Sequence, residues 1–83
     1  MKLQTLKNKL AKMNIEFKTW SPNNFNFSLI FSVNGKQIEA DYNNDGNNTI
    51  SSFSHDKGFN ECTQERNRYY MNSFNEVLRY ATR

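Results

Sequence analysis

The sequence predicts an α+β fold, a two-layer sandwich in which two helices cover one face of an antiparallel sheet. Three observations carry this prediction. Apolar residues repeat at helical spacing near both ends of the chain, polar and apolar residues alternate through its middle, and Asn34-Gly35 separates two alternating runs. The predicted element order is α-β-β-β-(β)-α, within one domain over residues 1–83.

The first predicted helix covers residues 2–14 and is followed by a strand over 15–20. Apolar residues of the helix are spaced three, four and three positions apart, which places them on one side. They are Leu3, Leu6, Leu10 and Met13. The pattern then changes to a period of two, and Ser21-Pro22 predicts the turn that ends the strand.

The two central strands are predicted over 25–33 and 36–42. An Asn-Gly pair is the strongest short signal for a hairpin, because both turn positions need a positive φ. A two-residue loop pairs Phe31 with Ile38 and places the apolar residues of both strands on one face. The wet face then carries polar side chains, namely Asn26, Ser28, Ser32, Glu39 and Asp41.

The last third of the chain predicts a turn, an uncertain segment and a second helix. Residues 49–53 fit either an edge strand or a loop. Residues 60–82 predict one long helix that begins at Asn60 and carries an apolar stripe through Tyr70, Phe74 and Val77. The expected core consists of Leu3, Leu6, Leu10, Phe17, Phe27, Leu29, Phe31, Ile38, Phe74, Val77 and Leu78.

Composition excludes several classes of protein. The 83 residues include 14% aromatic side chains, which argues against a disordered chain, and one cysteine, which excludes an internal disulfide. No run approaches the ~18 apolar residues of a membrane span. The start of the chain lacks an apolar segment with a cleavage site, so a cytoplasmic protein without membrane contact is expected.

Two groups of residues resemble parts of a metal site or a catalytic site, and neither is complete. Asp41, Asn43 and Asp45 match the first half of a calcium loop, but its twelfth position is Ser52 and not the bidentate Glu. The remaining pair, His55 and Cys62, has no third residue to orient the base. The expectation is therefore a protein that is not an enzyme and that holds no metal or other cofactor.

Two surfaces are candidates for binding. Aromatic and Arg side chains typical of protein interfaces make up the first. They are Trp20, Arg66, Arg68, Tyr69 and Tyr80. The alternative is a nucleic-acid contact through lysines of the first helix, which could meet phosphates. These are Lys2, Lys7, Lys9 and Lys12.

The predicted element order resembles that of the double-stranded RNA-binding domain, whose length is similar. That family carries a lysine cluster at the start of its last helix, where this chain has the stretch 60–66, which is acidic before it is basic. Its RNA contacts are therefore not carried over. An RNA-recognition motif is not expected either, because the predicted wet face lacks aromatic side chains for base stacking.

In size, in composition (fourteen Asn) and in architecture, the whole chain is also similar to small bacteriophage and mobile-element proteins of the anti-CRISPR group. This resemblance implies a non-enzymatic inhibitor that binds a host protein or ribonucleoprotein complex in the bacterial cytoplasm. The sequence leaves open whether the chain is a monomer or a homodimer. Because the net charge is +3, imitation of acidic DNA is not expected. The implied mechanism is steric blocking or the locking of a conformation.

Overall fold

The computed structural model describes residues 1–21, 27–44 and 46–82, and over these ranges it is an α+β structure. Its elements in chain order are α1 (Leu3–Lys12), β1 (Phe17–Trp20), β2 (Phe27–Val33), β3 (Lys36–Tyr42), β4 (Ile50–Asn60), β5 (Glu65–Met71) and α2 (Phe74–Ala81). The strands form one antiparallel sheet in the order β1-β2-β3-β4-β5. Buried residues of both helices share one core with buried residues of the sheet, so the helices cover one face.

The β2–β3 hairpin has the predicted register. Val33 pairs with Lys36 and Phe31 pairs with Ile38. Asn34 and Gly35 have φ angles of 51° and 80°, the left-handed backbone that a type I′ turn requires. This turn therefore determines which side chains of the two strands face the helices.

Helix α1 is confirmed, although it begins and ends within the predicted range. Its three leucines are buried, and Asn14, at φ 55°, turns the chain out of the helix just after its end. The first residues are held by backbone hydrogen bonds to the segment before β4: Leu3 N–H donates to the Asn48 carbonyl at 2.8 Å, and Ile50 N–H donates to the Met1 carbonyl at 2.8 Å.

The predicted helix over 60–82 is wrong over its first half. Of the range 49–53, which fits either a strand or a loop, residues 50–53 belong to β4, and Thr49 forms an isolated bridge with Lys2. The strand continues to Asn60, and the chain then turns back into β5. Asn60 does accept hydrogen bonds from the Cys62 and Thr63 N–H groups, as a helix cap would. However, Gln64 takes a φ of 60°, so the helical turn is not continued, and β5 pairs with β4 instead.

Helix α2 begins fourteen residues later than predicted for the long helix. Its cap is Ser73, whose hydroxyl accepts a hydrogen bond from Glu76 N–H at 3.2 Å. The Glu76 carboxylate in turn accepts from Asn72 N–H at 2.9 Å. This reciprocal arrangement is close to a capping box, a Ser followed three residues later by Glu. It satisfies backbone donors that the first turn would otherwise leave open.

The core is centred where the two helices meet the middle strands. The Phe74 ring of α2 contacts the rings of Phe31 and Phe53, with centroids 6.4 and 6.3 Å away. Three predicted core residues differ. Phe17 is 38% exposed because it lies on the edge strand β1, and Phe27 and Leu78 are only partly buried. The buried hydrophobic residues are Leu3, Leu6, Leu10, Leu29, Phe31, Val33, Ile38, Ala40, Phe53, Met71, Phe74, Val77 and Ala81.

Candidate interaction surface on the open face of the sheet

Alternate residues of the five strands point away from the helices and form a surface that we call the open face. The strand register assigns them, since paired residues of neighbouring strands project to the same side. One row across the sheet, for example, runs from Ile30 through Glu39 and Ser54 to Tyr70. The open face comprises Lys18, Trp20, Ser28, Ile30, Ser32, Gln37, Glu39, Asp41, Ser52, Ser54, Asp56, Phe59, Arg66, Arg68 and Tyr70.

The centre of the open face is a polar network built on Arg68. Its guanidinium forms an ion pair with Glu39 and also donates to the Ser54 hydroxyl, from Nη2 at 2.7 Å and from Nε at 3.1 Å. The two charged side chains are 24% and 21% exposed, and Ser54 is fully buried. Arg68 thus extends from β5 across β4 to β3 and ties three strands together.

A second, more exposed ion pair lies nearer the β4–β5 turn. Arg66 Nε donates to the Asp56 carboxylate at 2.8 Å, and the other carboxylate oxygen accepts from Gly58 N–H at 2.8 Å. The Gly58 hydrogen bond, followed by the Arg66 hydrogen bond, holds the pKa of Asp56 below its ordinary value of 3.8. Asp56 therefore stays ionised at neutral pH.

Exposed aromatic side chains surround this polar centre. Trp20 on β1 is 51% exposed, Tyr70 on β5 is 63% exposed, and Phe59 on β4 is 50% exposed. Four strand spacings separate β1 from β5, so Trp20 and Tyr70 lie about 19 Å apart. A groove of about 410 Å³ runs between Trp20 and Arg68, and Ile30 lines it as well.

The open face is less polar than the sequence predicts. Ser28, Ser32, Glu39 and Asp41 occupy it as expected, whereas Asn26 lies outside the described residues. The helix predicted over 60–82 hides the aromatic residues of β4 and β5 that belong to this face. The sequence carries little signal for them, because residues 65–68 are all polar and 69–71 all apolar, so this strand lacks the alternation of a half-buried strand.

Only some of the predicted partner-binding residues lie together. Trp20, Arg66 and Arg68 share the open face, and both arginines lie on β5 rather than on a helix. Tyr69 and Tyr80 lie on the helix side, where their rings stack at 4.7 Å. The stack continues to His55, whose ring is 5.5 Å from Tyr80, and Lys36 Nζ lies 4.2 Å above the Tyr80 ring. These two tyrosines therefore help to attach α2 to the sheet.

The residues considered for catalysis and calcium binding are dispersed. His55 Nδ1 lies 2.8 Å from the Gln37 carbonyl. Cys62 is exposed in the turn after β4, and the end of β4 is itself about 16 Å along the strand from His55. Asp41 accepts a hydrogen bond from Ser28 at 2.7 Å, Asn43 is exposed, and Asp45 lies outside the described residues. Within the described ranges, no three His, Cys, Asp or Glu side chains form a group that could hold a metal ion.

The lysines of α1 lie on the other side of the molecule. Lys2, Lys9 and Lys12 are exposed, and Lys7 lies over the Phe17 ring with its Nζ 6.0 Å from the centroid. Helix α1 contains no acidic residue. The charge of the molecule is therefore divided unequally between its two faces.

No protein-family model, curated protein or solved structure matches this chain. Its order of two helices and five strands also differs from the α-β-β-β-α order on which the similarity to double-stranded RNA-binding domains depended. No helix in the described part of the chain is long and apolar enough to cross a membrane. Function is therefore inferred from the open face and from α1.

Proposed function

We propose that this chain is a non-enzymatic binding protein that holds a protein partner on the open face of its sheet. The observation that carries the proposal is the combination on that face of exposed aromatic side chains with a charge-balanced polar centre. Trp, Tyr and Arg are the residues most enriched among those that dominate the energy of protein interfaces. Trp20, Tyr70 and Arg66 supply all three on one side of the molecule.

The charge balance of the open face favours a protein partner over a nucleic acid. Its three basic and three acidic side chains cancel, so the face has no net attraction for phosphates. They are Lys18, Arg66, Arg68, Glu39, Asp41 and Asp56. The carboxylates lie between Trp20 and Tyr70 and interrupt any continuous surface on which successive bases could stack.

The size of the open face is also suited to a protein. Five strands at about 4.8 Å spacing and about seven residues in length give roughly 500 Å² of planar area, before side-chain relief is counted. A stable interface buries about 800 Å² on each partner, so the open face could supply most of one side of such an interface. Because the Arg68–Glu39–Ser54 network is already hydrogen-bonded, the centre of the face needs little reorganisation on binding.

The biological setting that we propose is inhibition of a host effector complex by a phage or mobile-element protein, in the cytoplasm of a bacterial host. Support for this setting comes from the small size, the Asn-rich composition and the α+β architecture. A partner seated across the open face would be blocked sterically or held in one conformation, without any covalent step.

The test begins with affinity purification from the host cell, in which the ratio of absorbance at 260 and 280 nm separates protein from nucleic-acid partners. The captured protein is then titrated against Trp20→Ala, Tyr70→Ala and the double variant. Truncation of an aromatic residue that dominates an interface costs about 2 kcal/mol, so each single change is expected to weaken binding about 30-fold.

The matched control is Phe17→Ala. It removes an exposed aromatic ring from the same strand as Trp20, but from the face that the helices cover. Binding should be nearly unchanged in this variant. Equal losses for Phe17→Ala and Trp20→Ala, or full binding by the double variant, would show that the partner does not use the open face.

A further inference from the structure

A second surface, formed by α1, lies on the opposite side of the molecule from the open face. The chain has eleven basic and eight acidic residues, and four of the basic residues belong to α1 and its N-cap. The remaining seven basic residues are outnumbered by the eight acidic ones. The net positive charge of the protein is therefore accounted for by α1 and its N-cap.

Three of these lysines form a stripe along the exposed side of α1. Lys9 and Lys12 are three residues apart and lie on nearly the same side of the helix, and Lys2 is the extended N-cap residue at its start. Lys2 and Lys9 are about 10 Å apart along the axis, and Lys9 and Lys12 about 4.5 Å. All three are exposed, and neither ion pair found in the described ranges involves them.

Within α1, no acidic side chain lies beside the stripe: Thr5, which lies between Lys9 and Lys12 around the helix, and the adjacent Asn8 are uncharged. On α2, the Glu76 side chain is engaged at the start of its own helix, where its carboxylate accepts a hydrogen bond from Asn72 N–H. The fourth lysine of the helix, Lys7, belongs to another side, where it covers Phe17.

We infer that the Lys2–Lys9–Lys12 stripe binds the phosphate backbone of a nucleic-acid duplex, independently of the protein partner on the open face. A row of ammonium groups on flexible lysine stems provides charge contacts but no surface for stacking bases. It therefore suits a double helix, whose bases are already stacked, better than a single strand. Such binding is independent of sequence and depends strongly on salt.

The salt dependence of duplex binding follows from the number of phosphate contacts. Three phosphate contacts release about three counterions, so the logarithm of the affinity should fall with the logarithm of salt at a slope of about −2.7. Between 50 and 200 mM salt, this corresponds to about a 40-fold loss. Lys9→Gln with Lys12→Gln leaves one contact, so the slope should fall to about −0.9 and the loss to about 3.5-fold.

The experiment measures fluorescence anisotropy of a labelled 16-base-pair DNA duplex against the intact protein over that salt range. The matched control is Lys18→Gln with Lys57→Gln, which changes the net charge equally but away from α1. This control should keep the slope of the unchanged protein. An equal reduction of slope in both double variants would show that only net charge matters and would overturn the proposal.

Further measurements test the location of the contact and the class of ligand. In ¹⁵N–¹H spectra of the unchanged protein, the duplex should shift amide signals of α1 and leave the Trp20 indole signal in place. The opposite pattern refutes the assignment to α1. Tighter binding of the corresponding single strand, or equal binding of a 16-residue poly-Glu peptide, would exclude the duplex as the ligand. Trp20→Ala should not affect duplex binding, which separates this inference from the proposed function.

Discussion

The Arg68–Glu39 pair provides a quantitative test of how the open face is built. We consider Glu39→Ala, Arg68→Ala and the double variant as a double-mutant cycle, which isolates the energy that the two side chains share. Each single change leaves the other charged group unpaired, on a side chain of which about three quarters is shielded from water. The double variant removes both charges together.

The size of the coupling follows from the burial of the pair. Two unit charges about 4 Å apart attract each other by about 4 kcal/mol at an effective dielectric constant of about 20. Part of this attraction is offset by the desolvation of both groups. Exposed pairs contribute about 0.2–1 kcal/mol, and the removal of one partner from a buried pair costs about 3–5 kcal/mol. For side chains that are 24% and 21% exposed, we expect a coupling of about 2 kcal/mol.

Urea unfolding followed by far-ultraviolet circular dichroism measures the cycle. Each single variant should lose about 2–3 kcal/mol, and the double variant less than the sum by about 2 kcal/mol. The Arg66–Asp56 pair, which joins β5 to β4, is the control, since its arginine is 59% exposed. Its coupling should be smaller and should weaken more in about 1 M salt. Equal couplings for the two pairs would refute the view that Arg68 anchors the centre of the face.

Other predictions concern α2, the core and acid sensitivity. Ser73→Ala removes the cap of α2 and should cost about 1 kcal/mol in urea unfolding. Phe74→Ala empties a buried site and should cost about 3–5 kcal/mol, whereas Phe59→Ala, at a half-exposed position, should stay within about 0.5 kcal/mol. The pKa of Asp56 is lower in the folded chain than its ordinary 3.8, because Gly58 N–H and then Arg66 bind its carboxylate. The stability that this carboxylate adds is therefore present above pH 3.8 and is lost as the pH falls through the folded pKa. Asp56→Asn should lose less stability than the unchanged protein over that acid range in pH-dependent urea unfolding, and parallel curves would contradict this assignment.

The parts of the fold that the sequence predicts well are those where local and long-range signals agree. The Asn34-Gly35 turn and the alternation on both sides of it select one register, because a shift by one residue would expose the apolar face. In α1, the leucine spacing and the position of Asn14 likewise agree on one short helix.

The segment 60–71 was misassigned because its local signals conflict. Asn60 caps a helical turn, and the spacing of Tyr70, Phe74 and Val77 continues a helical stripe, yet pairing with β4 decides the structure. Strand pairing is a long-range effect that local spacing does not reveal. The Ser-x-x-Glu motif at Ser73 is the local signal that marks the true start of the helix.

The candidate site is predicted only in part, because the faces on which its residues lie depend on the strand assignment of 60–71. Trp20 and Arg68 were recognised from their residue types alone, without a known position on the sheet. The helical prediction places Tyr70 in a core stripe and Tyr69 on the surface. In the structure, Tyr70 is exposed and Tyr69 stacks against Tyr80 on the helix side. In a strand, neighbouring residues project to opposite faces, so the error in secondary structure exchanged the two tyrosines.

The order of strands in the sheet has a consequence for the speed of folding. Every strand pairs with its neighbour in sequence, so the sheet can grow by successive hairpins without closing a long loop. The two-residue turn makes the β2–β3 hairpin the natural nucleus, and hairpins of this kind form in about 1–10 μs. The docking of α1 and α2, from opposite ends of the chain, onto this sheet is then expected to be the late step. Substitutions at Leu6 or Val77 should accordingly speed unfolding more than they slow folding, whereas Gly35→Ala should slow folding itself.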